Sequence, residues 1–113
     1  MDESAFIGAA DATLETIGLA LDAALETGGA DLDWEQRDGV LTIECDDGSR
    51  IIVNRHVPNR EIWVAAKSGA FHFRADGGRW RDTRGSEELG AALVRLLKSQ
   101  GRIAVRMPDL PAP

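Results

Sequence analysis

Residues 39–55, GVLTIECDDGSRIIVNR, decide the fold. Leu41, Ile43 and Cys45 alternate with Thr42 and Glu44, the period of a strand with one buried face. Asp46-Asp47-Gly48 breaks the pattern with turn-forming residues, a strong hairpin signal. Ile51 and Val53 then resume the alternation. Two strands joined by so short a turn must run antiparallel.

The same grammar extends both ways. Upstream, Asp31, Asp33 and Glu35 alternate with Leu32 and Trp34, and Arg37-Asp38-Gly39 supplies a turn. Downstream, Pro58 and Asn59 punctuate before Ile62 and Val64. Phe71 and Phe73 follow a Ser68-Gly69 turn, and Gly77-Gly78 leads into Trp80. Residues 3–26 carry apolar positions at Phe6, Ala10, Leu14, Ile17, Leu21, Ala24 and Leu25, the spacing of an amphipathic helix. Asp2 is its expected cap, and Gly28-Gly29 its end. Ser86 is expected to cap a second helix, with Glu87 and Glu88 in its first turn. Leu89, Leu93, Leu96 and Leu97 form that helix's stripe, and Gly101 stops it.

The order is helix, meander, helix. It predicts an α+β fold with two helices packed on one face of a five- to six-stranded antiparallel sheet, the other face open to solvent. At 113 residues the chain makes one modest core. Residues 1–106 are read as a single domain, and the Pro-rich stretch 107–113 as a disordered tail. There is no continuous run of about 18 apolar residues, so no membrane span is expected. The start, MDESAF, is acidic where a signal peptide would be basic, which predicts a cytoplasmic protein. One cysteine, Cys45, allows no internal disulfide and no cysteine-based metal site.

Charge is divided by position. Residues 1–49 hold 13 Asp/Glu and one basic residue, Arg37; residues 50–113 hold 6 Asp/Glu and 12 Lys/Arg. The overall −6 argues against binding a nucleic-acid backbone, and the arginines at 74, 79, 81 and 84 read as a solvated hairpin. On a helical wheel, Glu15, Asp22 and Glu26 fall roughly 40°, 20° and 60° from Asp11. Four carboxylates therefore share one helix edge. If the strand bearing Asp31, Asp33 and Glu35 lies beside it, seven form one ridge. Carboxylates suit hard cations such as Ca, Mg, Mn or iron, but no spacing here closes a cage. Such a face also attracts basic protein surfaces.

The second signal is NRHVPNREIWVA, residues 54–65. If Ile62 and Val64 face the helices, Trp63 faces the open side, and Asn54 shares that side. An exposed tryptophan on a flat sheet resembles an interface anchor. His72 is expected on the same face, and His56 in the turn before Pro58. Cys45 reads as a strand core residue with no neighbouring base. No Ser/His/Asp set and no phosphate-cradling loop stands out, so the chain is not expected to be an enzyme.

With GVLTIECDDGSRIIVNR before it and GAFHFRADGGRW after it, this stretch resembles the frataxin family, most closely its bacterial, CyaY-type members. The likeness runs from the first helix to the second, and the NR…PN…IW pattern is its most specific part. It implies the same sandwich and a role in iron–sulfur cluster assembly. It also implies that Asp22, Glu26, Asp31, Asp33 and Glu35 form an acidic ridge associated with weak iron binding and with docking on a cysteine desulfurase. Asp11 and Glu15 extend that stripe. Trp63, Asn54 and Arg55 match residues facing the desulfurase and the iron–sulfur scaffold protein. An iron carrier or ferroxidase-like store is the alternative it implies. The expected state is a monomer, or an oligomer formed with iron, with no nucleic-acid or membrane partner. The chain departs from the pattern at Gly18-Leu19, where close relatives have an acidic pair, and at Ile7, where some have histidine.

Overall fold

The computed structural model describes residues 1–28 and 31–113. Its elements are α1 (Glu3–Glu26), β1 (Asp33–Arg37), β2 (Val40–Glu44), β3 (Arg50–His56), β4 (Glu61–Ala66), β5 (Gly69–Asp76), β6 (Arg79–Asp82) and α2 (Leu89–Ser99). The six strands form one antiparallel meander in chain order, so β1 and β6 are its edges. Both helices lie on one face: α1 crosses β1–β3 and α2 lies against β6. The α+β sandwich read from the pattern is the one observed.

Asp2 caps α1 by accepting from the Ala5 amide at 2.7 Å. The helix ends at Glu26 with Thr27 as its cap residue. Gly29, expected to share in that ending, lies outside the described residues. On α1, Phe6, Leu14, Ile17 and Leu21 are buried against Leu41, Ile43, Ile51, Val53, Ile62 and Phe73 of the sheet and the leucines of α2. Over an 18-residue window α1 has a mean hydropathy of 1.2, enough by length and composition to cross a membrane. The helix's apolar stripe is the one buried in this core.

The β1–β2 turn has positive φ at Asp38 (51°) and Gly39 (78°), the geometry that matches strand twist in a two-residue hairpin. Gly39 is needed for space as well. A Cβ there would lie 2.6 Å from Arg55 Nε.

Two expectations need correction. First, α2 begins at Leu89, and Ser86 does not cap it. Residues 86–88 run extended along β6, with an Asp82 N–H to Glu87 carbonyl bond of 2.9 Å and an Arg81–Glu88 bridge. The two carboxylates pair with arginines instead: Glu87 with Arg95 at 2.9 Å and Glu88 with Arg79 at 2.8 Å. Second, residues 107–113 are not a disordered tail. Pro111 bridges Arg79, the Ala112 amide donates to the Gly78 carbonyl at 2.9 Å, and Leu110 is buried. Met107 and Leu110 lie over Gly90 on α2. Leu110→Ala is therefore expected to cost about 2 kcal/mol, read as a lower urea midpoint. A loose tail would give no shift.

Candidate functional site

The helix edge carries its carboxylates as the wheel requires. Glu15, Asp22 and Glu26 are exposed. Asp11 is on the same edge but is ion-paired with Arg55, which reaches it from β3. It is thereby withdrawn from the ridge. Arg55 lies opposite Ile62, on the helix side of the sheet. The sequence reading grouped it with Asn54 and Trp63. The pleat sends adjacent residues to opposite faces, so Arg55 is not part of that surface.

Strand β1 is beside α1, as the ridge requires. Its faces are decided by Trp34, which is opposite the buried Ile43 and so points toward the helix. The indole lies against Gly18, where a Cβ would stand 2.6 Å from Trp34 Cη2. Its Nε1 donates to Asp22 Oδ1 at 2.8 Å. The departure at Gly18 is thus the seat of a ring. Asp33 and Glu35, opposite Glu44 and Thr42, turn to the open face. Asp31 is exposed ahead of β1. The six carboxylates left after Asp11 therefore wrap around the sheet edge, and the row of seven expected from the sequence is not formed. Glu44, which shares a groove with Asp33 and Glu35, went unread because its strand looked like pure scaffold. Among the described residues, no three His, Cys, Asp or Glu side chains converge on one ion position. Cations met here would be held by exposed oxygens and their own water.

The open face is built around Trp63. It pairs across the sheet with Asn54 on β3 and His72 on β5. Both faces of the indole are occupied. His56 stacks at 3.6 Å between ring centroids and His72 at 4.3 Å, each within 9° of parallel. Trp63 Nε1 donates to Glu61 Oε1 at 2.9 Å, and Arg74 Nη2 donates to Glu61 Oε2 at 2.7 Å. Trp63 is thus on the predicted side but half-buried, held by neighbours. The sequence placed His56 in a turn, whereas it ends β3, and it missed Glu61. Their strand phase, two residues from Asn54 and from Trp63, was the available signal.

Glu61 is only 3% exposed. Burial pushes its carboxyl up, but hydrogen bonds from Trp63 and Arg74, with the charges of Arg74 and His72, outweigh burial and hold it below its usual range. A carboxyl lowered on folding adds stability above its unfolded value, near 4.3, and loses that contribution as pH falls below it. Wild type is expected to exceed Glu61→Gln in urea midpoint at pH 6, with the gap closing by pH 3. A gap independent of pH would contradict this. Cys45 is buried, which pushes its thiol up and away from the reactive thiolate.

An acidic helix edge, a sheet-edge continuation and an anchored tryptophan on an otherwise open meander are now in place. The frataxin-like domain family matches residues 1–103. The chain belongs to the frataxin family. It is 44% identical over 107 residues to the iron–sulfur cluster assembly protein CyaY of Ralstonia nicotianae, covering 95% of each. It is 51% identical over 106 residues to the protein of the same description from Dechloromonas aromatica, covering 93% of this chain and 97% of that one. Frataxin from Psychromonas ingrahamii superposes with a TM-score of 0.79 at 28% identity, over 96% of this chain and 100% of the other. Trimeric yeast frataxin complexed with ferrous iron, from Saccharomyces cerevisiae, superposes with a TM-score of 0.73 at 26% identity, over 83% and 86% of the two chains. This frataxin keeps the family's sheet and both helices. The middle of its ridge holds Gly18, Leu19 and the Trp34 ring.

Proposed function

We propose that this frataxin is a cytoplasmic, iron-binding modulator of iron–sulfur cluster assembly that docks through its acidic ridge on a cysteine desulfurase and its scaffold protein. One observation carries the reading. Glu15, Asp22, Glu26, Asp31, Asp33 and Glu35 have no basic partner within ion-pair distance among the described residues, whereas Asp11, Asp47 and Glu61 each do. Exposed like charges repel one another, and a cationic surface relieves that repulsion. Trp63, held in one orientation by Glu61 and two imidazoles, would add a rigid aromatic contact with little ordering cost. Iron would bind the same oxygens weakly and compete with docking. The lack of a converging three-ligand group among the described residues favours docking over the alternative of an iron store.

Two measurements test this. Trp63→Ala takes one hydrogen bond from the buried Glu61, so it should lower the thermal midpoint by roughly 5–10 °C yet stay folded at 25 °C, while weakening desulfurase binding by about tenfold, the scale of an interface anchor. Unchanged binding by the folded variant would remove Trp63 from the interface, and complete unfolding would mean that the ring belongs to the core. Titration of ferrous and ferric iron, with calcium as control, should shift amide resonances of residues 15–26 and 31–35. Shifts scattered elsewhere, or none, would count against iron at the ridge.

A further inference from the structure

The arginines at 74, 79, 81 and 84, read from the sequence as a solvated hairpin, are not equivalent in the fold. Arg79 is paired with Glu88 at 2.8 Å. Arg74 on β5 lies directly opposite Arg81 on β6. Both follow buried residues, Phe73 and Trp80, so both side chains stand on the open face. Cross-strand partners are about 5 Å apart at Cβ, and like charges so placed repel. Glu61 offsets only part of this. Its two oxygens are engaged by Trp63 Nε1 and by Arg74 Nη2, which fixes the Arg74 side chain. Arg81 donates to the Ser86 carbonyl at 3.2 Å. Among the described residues, neither Arg81 nor Arg84 has a carboxylate within ion-pair distance, whereas Arg74 and Arg79 each do. Arg74 and Arg81 line a depression of about 420 Å³, with Thr83 and Ser86 on its wall. Asp76 and Asp82 line it too. Asp82 is opposite the buried Phe73, so its side chain turns to the helix side, where Oδ1 accepts from the Arg84 amide at 2.9 Å.

We propose that Arg74 and Arg81 form an anion site that takes the phosphate of a phosphate monoester. The inference stands apart from the docking reading, since it uses the basic end of the sheet and not the ridge. A monoester phosphate carries about 1.5 to 2 negative charges at pH 7 and three acceptor oxygens. Arg81 and Arg84 supply two charges that no carboxylate offsets. A guanidinium has five N–H donors. Arg74 therefore keeps donors free after its bond to Glu61, and Arg81 after its bond to Ser86. Two guanidinium groups side by side can each present a fork to one phosphate. A carboxylate carries a single charge and is matched by a single arginine, as Glu61 and Arg74 show. A nucleic-acid backbone carries one charge per phosphate, and the chain's overall −6 repels it. The bound dianion would lie over the opposed arginines and relieve their repulsion.

The test titrates inorganic phosphate into the isotopically labelled full chain at pH 7 and constant ionic strength, following backbone amides and arginine Nε–H resonances. Saturable shifts are expected at Arg74, Arg81 and residues 83–86. Arg81→Gln should weaken binding by about tenfold, the worth of one charge-assisted hydrogen bond. Arg79→Gln removes the same charge from an arginine already spent on Glu88, and should change affinity by less than about twofold. Arg81→Lys keeps the charge but not the fork, and should weaken binding by about threefold. Glycerol 3-phosphate and a phosphoserine peptide then separate a small phosphoester from a modified protein as the carrier. Either one, bound at the same residues, supports the assignment. If inorganic phosphate binds and neither carrier does, the site holds an adventitious ion only and the assignment falls. It falls too if no shift saturates, if Lys98, Arg102 and Arg106 respond as strongly, or if Arg79→Gln and Arg81→Gln lose affinity equally. Should Arg81→Gln fail to fold, Arg81→Lys carries the decision, and unchanged affinity in it would overturn the site.

Discussion

Trp80→Ala is expected to leave too little stability for the chain to stay folded at 37 °C. The side chain is 1% exposed, at the junction of β6 with α1. Its ring meets Phe6 edge to face, centroids 5.9 Å apart and planes at 83°. Its Nε1 donates to the buried Thr13 hydroxyl at 3.2 Å. Truncating a buried tryptophan costs about 3–5 kcal/mol. Removing a partner from a buried hydroxyl adds about 1 kcal/mol. Small domains hold roughly 5–15 kcal/mol in all, so most of the margin would go. Trp80→Phe keeps an aromatic ring beside Phe6 and loses only the bond to Thr13 and part of the volume. It should cost less than half as much. Urea unfolding of the two variants reads this directly, and equal midpoints for Trp80→Ala and wild type would refute the packing described.

Gly18→Glu, which adds a carboxylate to the middle of the ridge, is expected to destabilise the chain by about 1–3 kcal/mol. The new Cβ would stand 2.6 Å from Trp34 Cη2 and 2.9 Å from Cζ3. The indole must then move, abandoning its bond to Asp22 and its contact with the helix. Replacing a helical glycine by glutamate would otherwise gain about 0.5–1 kcal/mol. The sign therefore depends on the ring. In a Trp34→Ala background, Gly18→Glu should be neutral or stabilising. Additive effects in the double variant would mean that the two positions do not meet.

The hairpins were legible because their information is local. Asp38-Gly39, Asp47-Gly48 and Gly77-Gly78 announce turns, and alternation between them assigns faces. The phase of Ile62 and Val64 was enough to send Trp63 to the open side. Distant pairings were not legible. Glu87 and Glu88 looked like first-turn acids because their true partners, Arg95 and Arg79, lie eight and nine residues away. The 107–113 segment looked unfoldable by composition, yet Met107, Leu110 and Ala112 pack on the core. The direction of Asp33 and Glu35 hinged on whether Trp34 faced the helix, and that depended on a glycine sixteen residues earlier. Arg55, grouped with Asn54 through the resemblance, lies on the other face. Its partner, Asp11, is 44 residues upstream. In each case the missing term was a contact between residues far apart in sequence.

The most direct test of the docking account is the affinity of the cysteine desulfurase for the wild type and for a variant with Asp22, Glu26, Asp31 and Asp33 changed to Lys, measured at two salt concentrations. All four side chains are exposed, so the substitutions should leave the core intact. The account predicts wild-type binding that weakens as salt rises, and a loss on the order of a hundredfold in the variant at low salt. Equal affinity for the two proteins, with no dependence on salt, would contradict it.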